Sequence, residues 1–217
     1  MKKLRILLAD DHEMLRRGIR AILTEQPGWE ICGEAINGRD AVELARKLRP
    51  EIVIMDIAMP ELNGLEATRQ IRRALPRTEI LVLTFDESEA LVREVLKAGA
   101  RGYVLKNDVS RVLVQAVESL SLHRPFFTSK VGEVLLKGFG RNLDAPESAA
   151  SNDPLTSRER EVLQLVAEGR STKEVAQVLN ISAKTAENHR TNLMRKLKVK
   201  SAAGLVRYAV RNKIITA

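Results

Sequence analysis

Five short apolar runs recur at similar intervals through the first half of the chain, separated by stretches with helical periodicity. The runs are rich in Ile, Val and Leu, which is typical of strands buried on both faces of a parallel sheet. They occupy residues 4–9, 30–35, 52–55, 80–83 and 102–105, and the helical stretches occupy residues 14–23, 38–48, 64–75, 88–98 and 108–122. Pro50 and Pro76 follow two of the helical stretches, and Gly99 is suited to end another. The alternation predicts a doubly wound, five-stranded parallel α/β domain over residues 1–122.

The rest of the chain has a different pattern. We predict a helix over residues 126–139 with Thr128 as its cap, and then a flexible linker, because residues 140–153 lack apolar periodicity. Residues 123–153 therefore form a connecting segment. From Pro154 onward only helical patterning is present, so residues 154–217 are predicted to form a small all-α domain.

The composition narrows the class of protein. Of 217 residues, 44% are hydrophobic, which is enough to form two hydrophobic cores. Only 3% are aromatic, so both cores are expected to be aliphatic. No apolar run approaches the ~20 residues that a membrane span needs. Asp10 comes too early to leave room for a secretion signal before it. The single cysteine, Cys32, excludes an internal disulfide and a cysteine metal site. We therefore expect a cytoplasmic protein without a membrane partner.

All of the net charge lies in the last 64 residues. The whole chain carries a formal charge of +8, and residues 154–217 hold 13 Lys and Arg against 5 Asp and Glu, also +8. A neutral first domain joined to a compact basic one favours a polyanionic partner for the second. A solubilising surface is the alternative that charge alone leaves open.

Polar side chains follow four of the five predicted strands. Asp10 and Asp11 come after the first strand, Asp56 after the third, Thr84 after the fourth and Lys106 after the fifth. In a sheet of order 2-1-3-4-5 the first and third strands are neighbours, so the three carboxylates meet in one crevice at the carboxyl edge. Each residue alone is better explained as a cap, but the full set in register is not.

Three carboxylates in one crevice repel each other unless a cation is bound. Oxygen ligands suit Mg²⁺, and Lys106 adds a fixed positive charge that can neutralise an arriving phosphoryl group. A carboxylate in this setting can act as the nucleophile and form an aspartyl phosphate. Positioning and charge neutralisation then supply most of the catalysis.

Residues 1–122 resemble the receiver domain of two-component signalling, a flavodoxin-like fold. The resemblance is carried by Asp10-Asp11, the stretch from Asp56 to Pro60, Thr84 and Lys106. It implies that Asp56 accepts the phosphoryl group from a sensor histidine kinase or a small phosphodonor. It implies Mg²⁺ bound by Asp10, Asp11, Asp56 and the carbonyl of Ala58, with Thr84 and Tyr103 as a switch pair. Many receivers have Pro after the lysine, where this chain has Asn107, which leaves the local backbone state open.

Two helix-start motifs and a tight turn organise the basic domain. Thr156–Glu159 and Ser171–Glu174 both fit the capping box S/T-x-x-E. They predict helices over residues 157–168 and 172–179, with Gly169 between them. Asn180 suits a left-handed turn, and Ser182 can cap a helix over residues 183–197. Two helices joined by such a short turn are typical of a DNA-binding helix-turn-helix.

Helical spacing separates two faces of the predicted helix over residues 183–197. Ala186, Leu193 and Leu197 fall on the inner face. The opposite face carries side chains that can contact bases or phosphates in double-stranded DNA: Lys184, Glu187, Asn188, Thr191 and Arg195. An ordinary solvated helix face is the alternative. The turn, the preceding helix pair and the charge of +8 favour DNA.

Residues 154–217 resemble the LuxR-type helix-turn-helix, on the stretch from Leu155 to Leu163, on Ile181-Ser182, and on Thr185, His189, Lys196 and Leu197. Together the two resemblances describe the NarL/FixJ-type response regulators. They imply that Thr185 belongs to the DNA-contacting set and that a last helix, near residues 202–212, serves dimerisation. In that helix Leu205, Val206 and Ala209 form an apolar stripe, for which packing inside the domain is an equal alternative.

The combined interpretation is a transcription regulator in which phosphorylation of Asp56 controls dimerisation and sequence-specific DNA binding. A small-molecule phosphatase with an Asp nucleophile is a rival, but such enzymes usually have a second acid where this chain has Ala58. A DNA binder blind to phosphorylation is disfavoured by the intact acidic set. RNA binding is disfavoured by the lack of aromatic residues for base stacking.

Overall fold

The computed structural model describes residues 3–128, 131–132 and 155–215. The chain divides into two compact units, an α/β unit and a C-terminal helical unit, which are described separately. Within the described ranges, no helix is long and apolar enough to cross a membrane.

The α/β unit is built on one parallel sheet with strand order β2-β1-β3-β4-β5-β6. The predicted five-stranded order is confirmed, with a sixth strand added at the β5 edge. The strands are β1 (Leu4–Ala9), β2 (Trp29–Ala35), β3 (Ile52–Asp56), β4 (Glu79–Thr84), β5 (Gly102–Leu105) and β6 (Phe126–Phe127). Every residue of β3 and β4 is buried, as expected for central strands covered on both faces.

Five helices alternate with the first five strands and differ from the predicted helices by no more than a residue at either end. They are α1 (Glu13–Thr24), α2 (Gly38–Leu48), α3 (Gly64–Ala74), α4 (Glu89–Lys97) and α5 (Val109–Ser121). Gly99 has φ +94°, so it ends α4 in the left-handed conformation that glycine adopts without strain. One aliphatic core joins α1 and α5 to the sheet, and includes Ile6, Ile54, Leu113 and Val117.

The sixth strand corrects the sequence-based prediction at the start of the connecting segment. Phe126 and Phe127 were expected to begin a helix, but they pair in parallel with Gly102 and Tyr103 of β5. The Phe126 N–H donates to the Arg101 carbonyl at 3.0 Å. Val131 and Gly132 are helical and the Gly132 N–H donates to the Thr128 carbonyl at 3.0 Å, so Thr128 lies at the predicted cap position, although its hydroxyl makes no hydrogen bond to the described residues. The rest of the predicted helix and the predicted linker lie mostly or wholly outside the described residues.

The helical unit contains four helices around a small aliphatic core. They are α6 (Ser157–Ala167), α7 (Thr172–Val178), α8 (Ala183–Lys196) and α9 (Ala202–Arg211). Both predicted capping boxes are present, with each hydroxyl accepting from the third backbone N–H and each glutamate accepting from the cap N–H. Asn180 has φ +50° between α7 and α8, and Gly169 has φ +85° between α6 and α7. The backbone turns predicted from these two residues are confirmed.

Candidate functional sites: an acidic pocket and a basic helix-turn-helix

The sheet places the predicted acidic residues at its carboxyl edge. Asp10 and Asp11 directly follow β1, and Asp56 is the last residue of β3, the neighbouring strand. Lys106 directly follows β5 and begins a short 3-10 turn over Lys106–Asp108. Among the described residues there is no cis peptide bond, so Asn107 follows Lys106 in the trans form.

A buried lysine holds two of the carboxylates. Lys106 Nζ lies 2.9 Å from Asp10 Oδ2 and 2.8 Å from Asp56 Oδ2. All three side chains are almost completely buried. Asp11 is more exposed and stands at the mouth of the pocket. The predicted convergence of these four residues is therefore observed, with a charge balance of three carboxylates against one ammonium.

The same two carboxylate oxygens are suited to a cation. Asp10 Oδ2 and Asp56 Oδ2 are both buried, and they share the Lys106 ammonium at 2.9 Å and 2.8 Å. One ammonium shared by two carboxylates leaves lone pairs on both oxygens. Oxygen atoms of Asp10, Asp11 and Asp56 lie close enough together to share one metal ion. Buried, incompletely satisfied carboxylates are the ligands that a hard divalent cation prefers.

Burial dominates the protonation of Asp56. Loss of solvent raises the pKa of its carboxyl group above the ordinary range for aspartate, and the nearby Asp10 charge acts in the same direction. The contacts with Lys106 oppose this change, and so does the Ala58 N–H, which donates to Asp56 Oδ1 at 3.3 Å. The backbone of Ala58 thus lies beside Asp56, where the receiver resemblance places it.

The expected switch residues lie on the two strands next to this pocket. Thr84 ends β4, is buried, and its Oγ1 accepts from the Asp86 N–H at 3.1 Å. Tyr103 on β5 is fully buried, and its hydroxyl donates to the Asp86 carbonyl. Burial raises the pKa of the Tyr103 phenol, so it stays a neutral donor. Both side chains are therefore connected to Asp86 in the loop after β4.

Two residues at the pocket were not recognised from the sequence. His12 Nδ1 lies 2.9 Å from Asp11 Oδ1 and 3.3 Å from Asp10 Oδ1. Gly64 begins α3 with its Cα so close to the backbone of Asp56 that an added Cβ would lie 1.9 Å from the Asp56 carbonyl oxygen. The only signal for His12 was its position after Asp10-Asp11, and Gly64 gave none, because its constraint comes from the way α3 approaches β3.

The exposed ring of Phe85 lies over the ammonium group of Lys106. Its ring centroid is 5.4 Å from Lys106 Nζ, and the residue is 63% exposed. An aromatic face at this distance attracts an ammonium group, by about 0.5–1 kcal/mol at an exposed site and ~2 kcal/mol where the ammonium is desolvated, as it is here. The contact adds to the forces that hold Lys106 at the pocket.

In the helical unit, the turn between α7 and α8 is built by local hydrogen bonds. Ser182 caps α8 through its hydroxyl, which accepts from the Thr185 N–H at 3.0 Å. Thr172 Oγ1 at the start of α7 donates to Glu187 Oε2 at 3.2 Å and so ties the two helices together. Ala186 and Leu193 are buried in the core and Leu197 packs against it, so the predicted inner face of α8 is confirmed.

The opposite face of α8 is open to solvent. The six residues predicted to contact DNA are all exposed: Lys184, Thr185, Glu187, Asn188, Thr191 and Arg195. Arg195 Nη2 donates to Asn192 Oδ1 at 3.0 Å, which orients its guanidinium along the helix. Lys196 Nζ forms an ion pair with Glu159 Oε2 at 2.7 Å and so fixes the end of α8 against α6.

The apolar stripe of α9 divides between core and surface. Leu205 and Ala209 are completely buried in the core of the helical unit, which favours the packing alternative for these two residues. Val206 is half-buried and Val210 is 36% exposed. Any dimer contact made by α9 would therefore use this outer edge.

An acidic pocket at the carboxyl edge of a parallel α/β sheet, joined to a basic helix-turn-helix, defines a signal-receiving domain with a DNA-binding output domain. The response regulator receiver domain family matches residues 6–118, and the family of bacterial regulatory proteins described as luxR matches residues 153–209. The chain belongs to the two-component response regulators of the NarL/FixJ type.

Relatives and solved structures support the whole length of this architecture. The transcriptional regulatory protein LiaR of Bacillus subtilis (strain 168) is 40% identical over 213 residues, which is 98% of this chain and 99% of LiaR. The RcsB response regulator of Salmonella typhimurium aligns over 97% of this chain and 100% of its own, with a TM-score of 0.58 and 28% identity. A structure of an RcsB–DNA complex aligns over 95% of this chain and 98% of its own, with a TM-score of 0.59 and 29% identity. The chain is thus a DNA-binding transcription regulator with a receiver domain, rather than a conventional enzyme.

Proposed function

We propose that phosphorylation of Asp56 controls dimerisation and sequence-specific DNA binding by this protein. The observation that carries the proposal is the position of the Asp56 carboxylate, which is almost fully buried and lies 2.8 Å from the Lys106 ammonium. A nucleophilic carboxylate needs a fixed cation to neutralise the arriving phosphoryl oxygens, and Lys106 is already held there. The donor is a phosphohistidine of a sensor kinase or a small phosphodonor.

The chemistry asks little of other side chains. The Asp56 carboxylate oxygen forms a bond to phosphorus while the bond from phosphorus to the donor's leaving atom breaks, and the leaving group takes a proton from solvent. Mg²⁺, bound by Asp10, Asp11, Asp56 and the Ala58 carbonyl, would supply charge neutralisation in this step. The buried oxygens of Asp10 and Asp56, which share a single ammonium, and the nearby Asp11 support this ligand set.

The phosphoryl group would be sensed by Thr84 and Tyr103. Thr84 Oγ1 now accepts from the Asp86 N–H, and Tyr103 donates to the Asp86 carbonyl. A phosphoryl oxygen that accepts from the Thr84 hydroxyl would draw Thr84 toward Asp56 and so shift the loop that contacts Tyr103. The affected surface is the one formed by α4 and β5, and the change shifts the population of states that dimerise.

For the output, we propose that the exposed face of α8 enters the major groove of double-stranded DNA. Asn188 can pair with adenine and Glu187 can accept from cytosine, while Lys184 and Arg195 reach phosphates or guanine. A homodimer would place two copies of α8 on half-sites about 10 bp apart. The RcsB–DNA complex among the similar structures supports this proposal, and DNA as the partner favours action in the cytoplasm.

The proposal is tested by Asp56→Asn in the full chain. With Mg²⁺ and a small phosphodonor such as acetyl phosphate, the unchanged protein should gain the mass of one phosphoryl group, become dimeric by light scattering, and bind operator DNA selected from genomic fragments more tightly. Asp56→Asn should show none of the three changes, whereas Asp40→Asn, on the surface of α2, should show all three. Equal DNA affinity of treated and untreated protein would contradict the switch.

A further inference from the structure

A second pocket lies at the amino edge of the sheet, at the opposite end of the strands from the acidic pocket. This amino-edge pocket is formed by the start of β1, the loops that lead into β3 and β4, and the end of α5. Its volume is about 550 Å³. Small-molecule sites in proteins measure roughly 300–1,000 Å³, so the volume suits a compact organic molecule.

Hydrogen bonds to the backbone hold the walls of the amino-edge pocket in place. The guanidinium group of Arg72 donates to the carbonyls of Pro76 and Thr78 at 2.6 and 2.7 Å, which fixes the loop before β4. The Glu79 N–H donates to the Glu51 carbonyl at 2.9 Å and so joins the start of β4 to the loop before β3. Little ordering of the protein is therefore needed when a ligand binds.

Much of the lining is apolar. Leu4 and Leu75 are only half-buried, and Pro50, Ile52 and Leu120 line the pocket beside them. An apolar ring placed against these side chains would remove apolar surface from water on both molecules. The lining therefore favours a ligand with a flat apolar body.

One buried acid interrupts the apolar lining. Glu79 is 4% exposed, and its Oε1 lies 2.8 Å from His123 Nδ1 and 3.3 Å from Arg101 Nη1. Its other oxygen, Oε2, is also buried but accepts no hydrogen bond from the described residues. A buried carboxylate oxygen without a donor is costly, and most such atoms in folded proteins have one. Glu79 therefore offers an unused acceptor to a ligand that carries an N–H group.

The charges around the pocket disfavour a cationic ligand. Arg101 already pairs with Glu79, and Arg49 and Arg77 are exposed residues of the lining. Together with Glu51, the second acid of the lining, this makes three guanidinium groups against two carboxylates. A protonated amine would meet net repulsion here, whereas an uncharged N–H donor would not.

We propose that the amino-edge pocket binds a small aromatic molecule that carries a ring N–H donor and no positive charge. The N–H donates to Glu79 Oε2, and the ring lies against Leu4 and Leu75. The pocket shares no lining residue with the acidic pocket, so this binding is separate from the phosphorylation of Asp56.

The test compares three probes by two-dimensional NMR of the ¹⁵N-labelled full chain. Indole has the ring N–H, 1-methylindole lacks it, and tryptamine has it together with an ammonium group. Indole at millimolar concentration should shift the amide signals of Glu51, Thr78 and Glu79. 1-Methylindole and tryptamine should each bind at least about fivefold more weakly, the first because the donor is lost and the second because of charge repulsion.

Two substitutions test the residues assigned to the site. Glu79→Gln should weaken indole binding by about fivefold, because the acceptor loses its charge, and Leu75→Ala should weaken it by about threefold, because apolar contact is lost. The matched controls are Glu118→Gln and Leu122→Ala, both at exposed positions outside the pocket, and they should leave the affinity unchanged. Leu75→Ala and the three probes test the site even if Glu79→Gln does not fold.

Three results would overturn the proposal: no shift of the three amide signals with indole, equal binding of indole and 1-methylindole, or unchanged affinity in Leu75→Ala. None of these results would bear on phosphorylation, which uses the opposite edge of the sheet.

Discussion

Asp56 keeps a carboxylate in a site that water barely reaches, and this has a consequence for stability. Burial raises the pKa of Asp56 in the folded protein above its value in the unfolded chain. The contribution of Asp56 to stability is therefore greatest below the unfolded pKa, and it is lost as the pH rises through the folded pKa. Ionisation of Asp56 above its folded pKa therefore lowers the stability of the metal-free protein.

Removing the ionisable group at position 56 should therefore change stability in a pH-dependent way. Asp56→Asn should raise the thermal midpoint of the metal-free protein by a few degrees at pH 7, because it removes a buried charge. The gain should shrink as the pH is lowered and vanish only well below the unfolded pKa of 3.8, where the aspartate is protonated in both states. Thermal unfolding followed by circular dichroism across this pH range measures it, with Glu43→Gln at an exposed position of α2 as the control. A gain that does not depend on pH would show that desolvation of Asp56 is not its cause.

Position 64 requires glycine because the backbone at the start of α3 lies very close to the backbone of Asp56. Gly64→Ala places a Cβ 1.9 Å from the Asp56 carbonyl oxygen, so the start of α3 or the end of β3 must move. We expect a loss of about 2 kcal/mol or more in the free energy of unfolding, measured in urea, together with weaker phosphorylation.

Gly18 provides a matched control for this substitution. It lies in α1, and an added Cβ would meet nothing within 4 Å. Gly18→Ala should therefore raise stability by about 0.5–1 kcal/mol, since alanine favours a helix interior. Similar effects of the two substitutions would contradict the packing argument for Gly64.

At the scale of elements, the capping boxes decide where the helix-turn-helix begins. Ser171 Oγ accepts from the Glu174 N–H at 3.3 Å, and Glu174 Oε2 accepts from the Ser171 N–H at 2.8 Å. Ser171→Ala should cost about 1 kcal/mol in the free energy of unfolding of the helical unit, because a helix-terminal N–H loses its partner. Urea unfolding of the full chain, followed in the helical transition, measures the cost. Ser110→Ala, on the surface of α5, should be neutral or slightly stabilising; an equal loss there would contradict the prediction.

Of the six strands and nine α-helices in the described residues, fourteen were predictable from local signals, whereas β6 was not. Strands β3 and β4 are buried on both faces, so their apolar runs stand out, and α6 and α7 begin at recognisable capping boxes. Strand β6 has only two residues, and it exists because Phe126 and Phe127 meet the free edge of β5. Such pairing is a tertiary event, and no local pattern encodes it.

The candidate site divides in the same way. Asp10, Asp56 and Lys106 were predictable because strand ends of a parallel sheet share one edge. The place of His12 depends on the geometry at the start of α1, where its N–H meets Asp10 Oδ1, and a position in the sequence does not reveal this contact. The sequence could not decide whether Leu205 and Ala209 pack inside the domain or against a second subunit, because an apolar helix stripe has the same pattern in both cases. The structure buries both residues in the core.

At the scale of the whole molecule, charge is segregated between the two ends of the chain. The net +8 of residues 154–217 predicts that DNA affinity falls linearly with the logarithm of salt concentration. Lys184→Gln should weaken binding to all sequences and reduce the magnitude of the salt slope by about 1, because one phosphate contact is lost. Fluorescence anisotropy with labelled operator DNA at several salt concentrations measures both effects.

The control for Lys184→Gln is a lysine in the α/β unit, whose net charge is zero. Lys47→Gln, at an exposed position of α2, removes the same charge from the α/β unit and should leave the slope unchanged. If the two variants shift the slope equally, the basic domain does not carry the contacts with DNA.

The lysine clamp also bears on how quickly the protein can respond. Lys106 already neutralises part of the charge of Asp10 and Asp56, so the repulsion between the two carboxylates is reduced before any phosphodonor binds. We therefore expect a phosphodonor to meet side chains that are already in place, with little reorganisation before phosphoryl transfer.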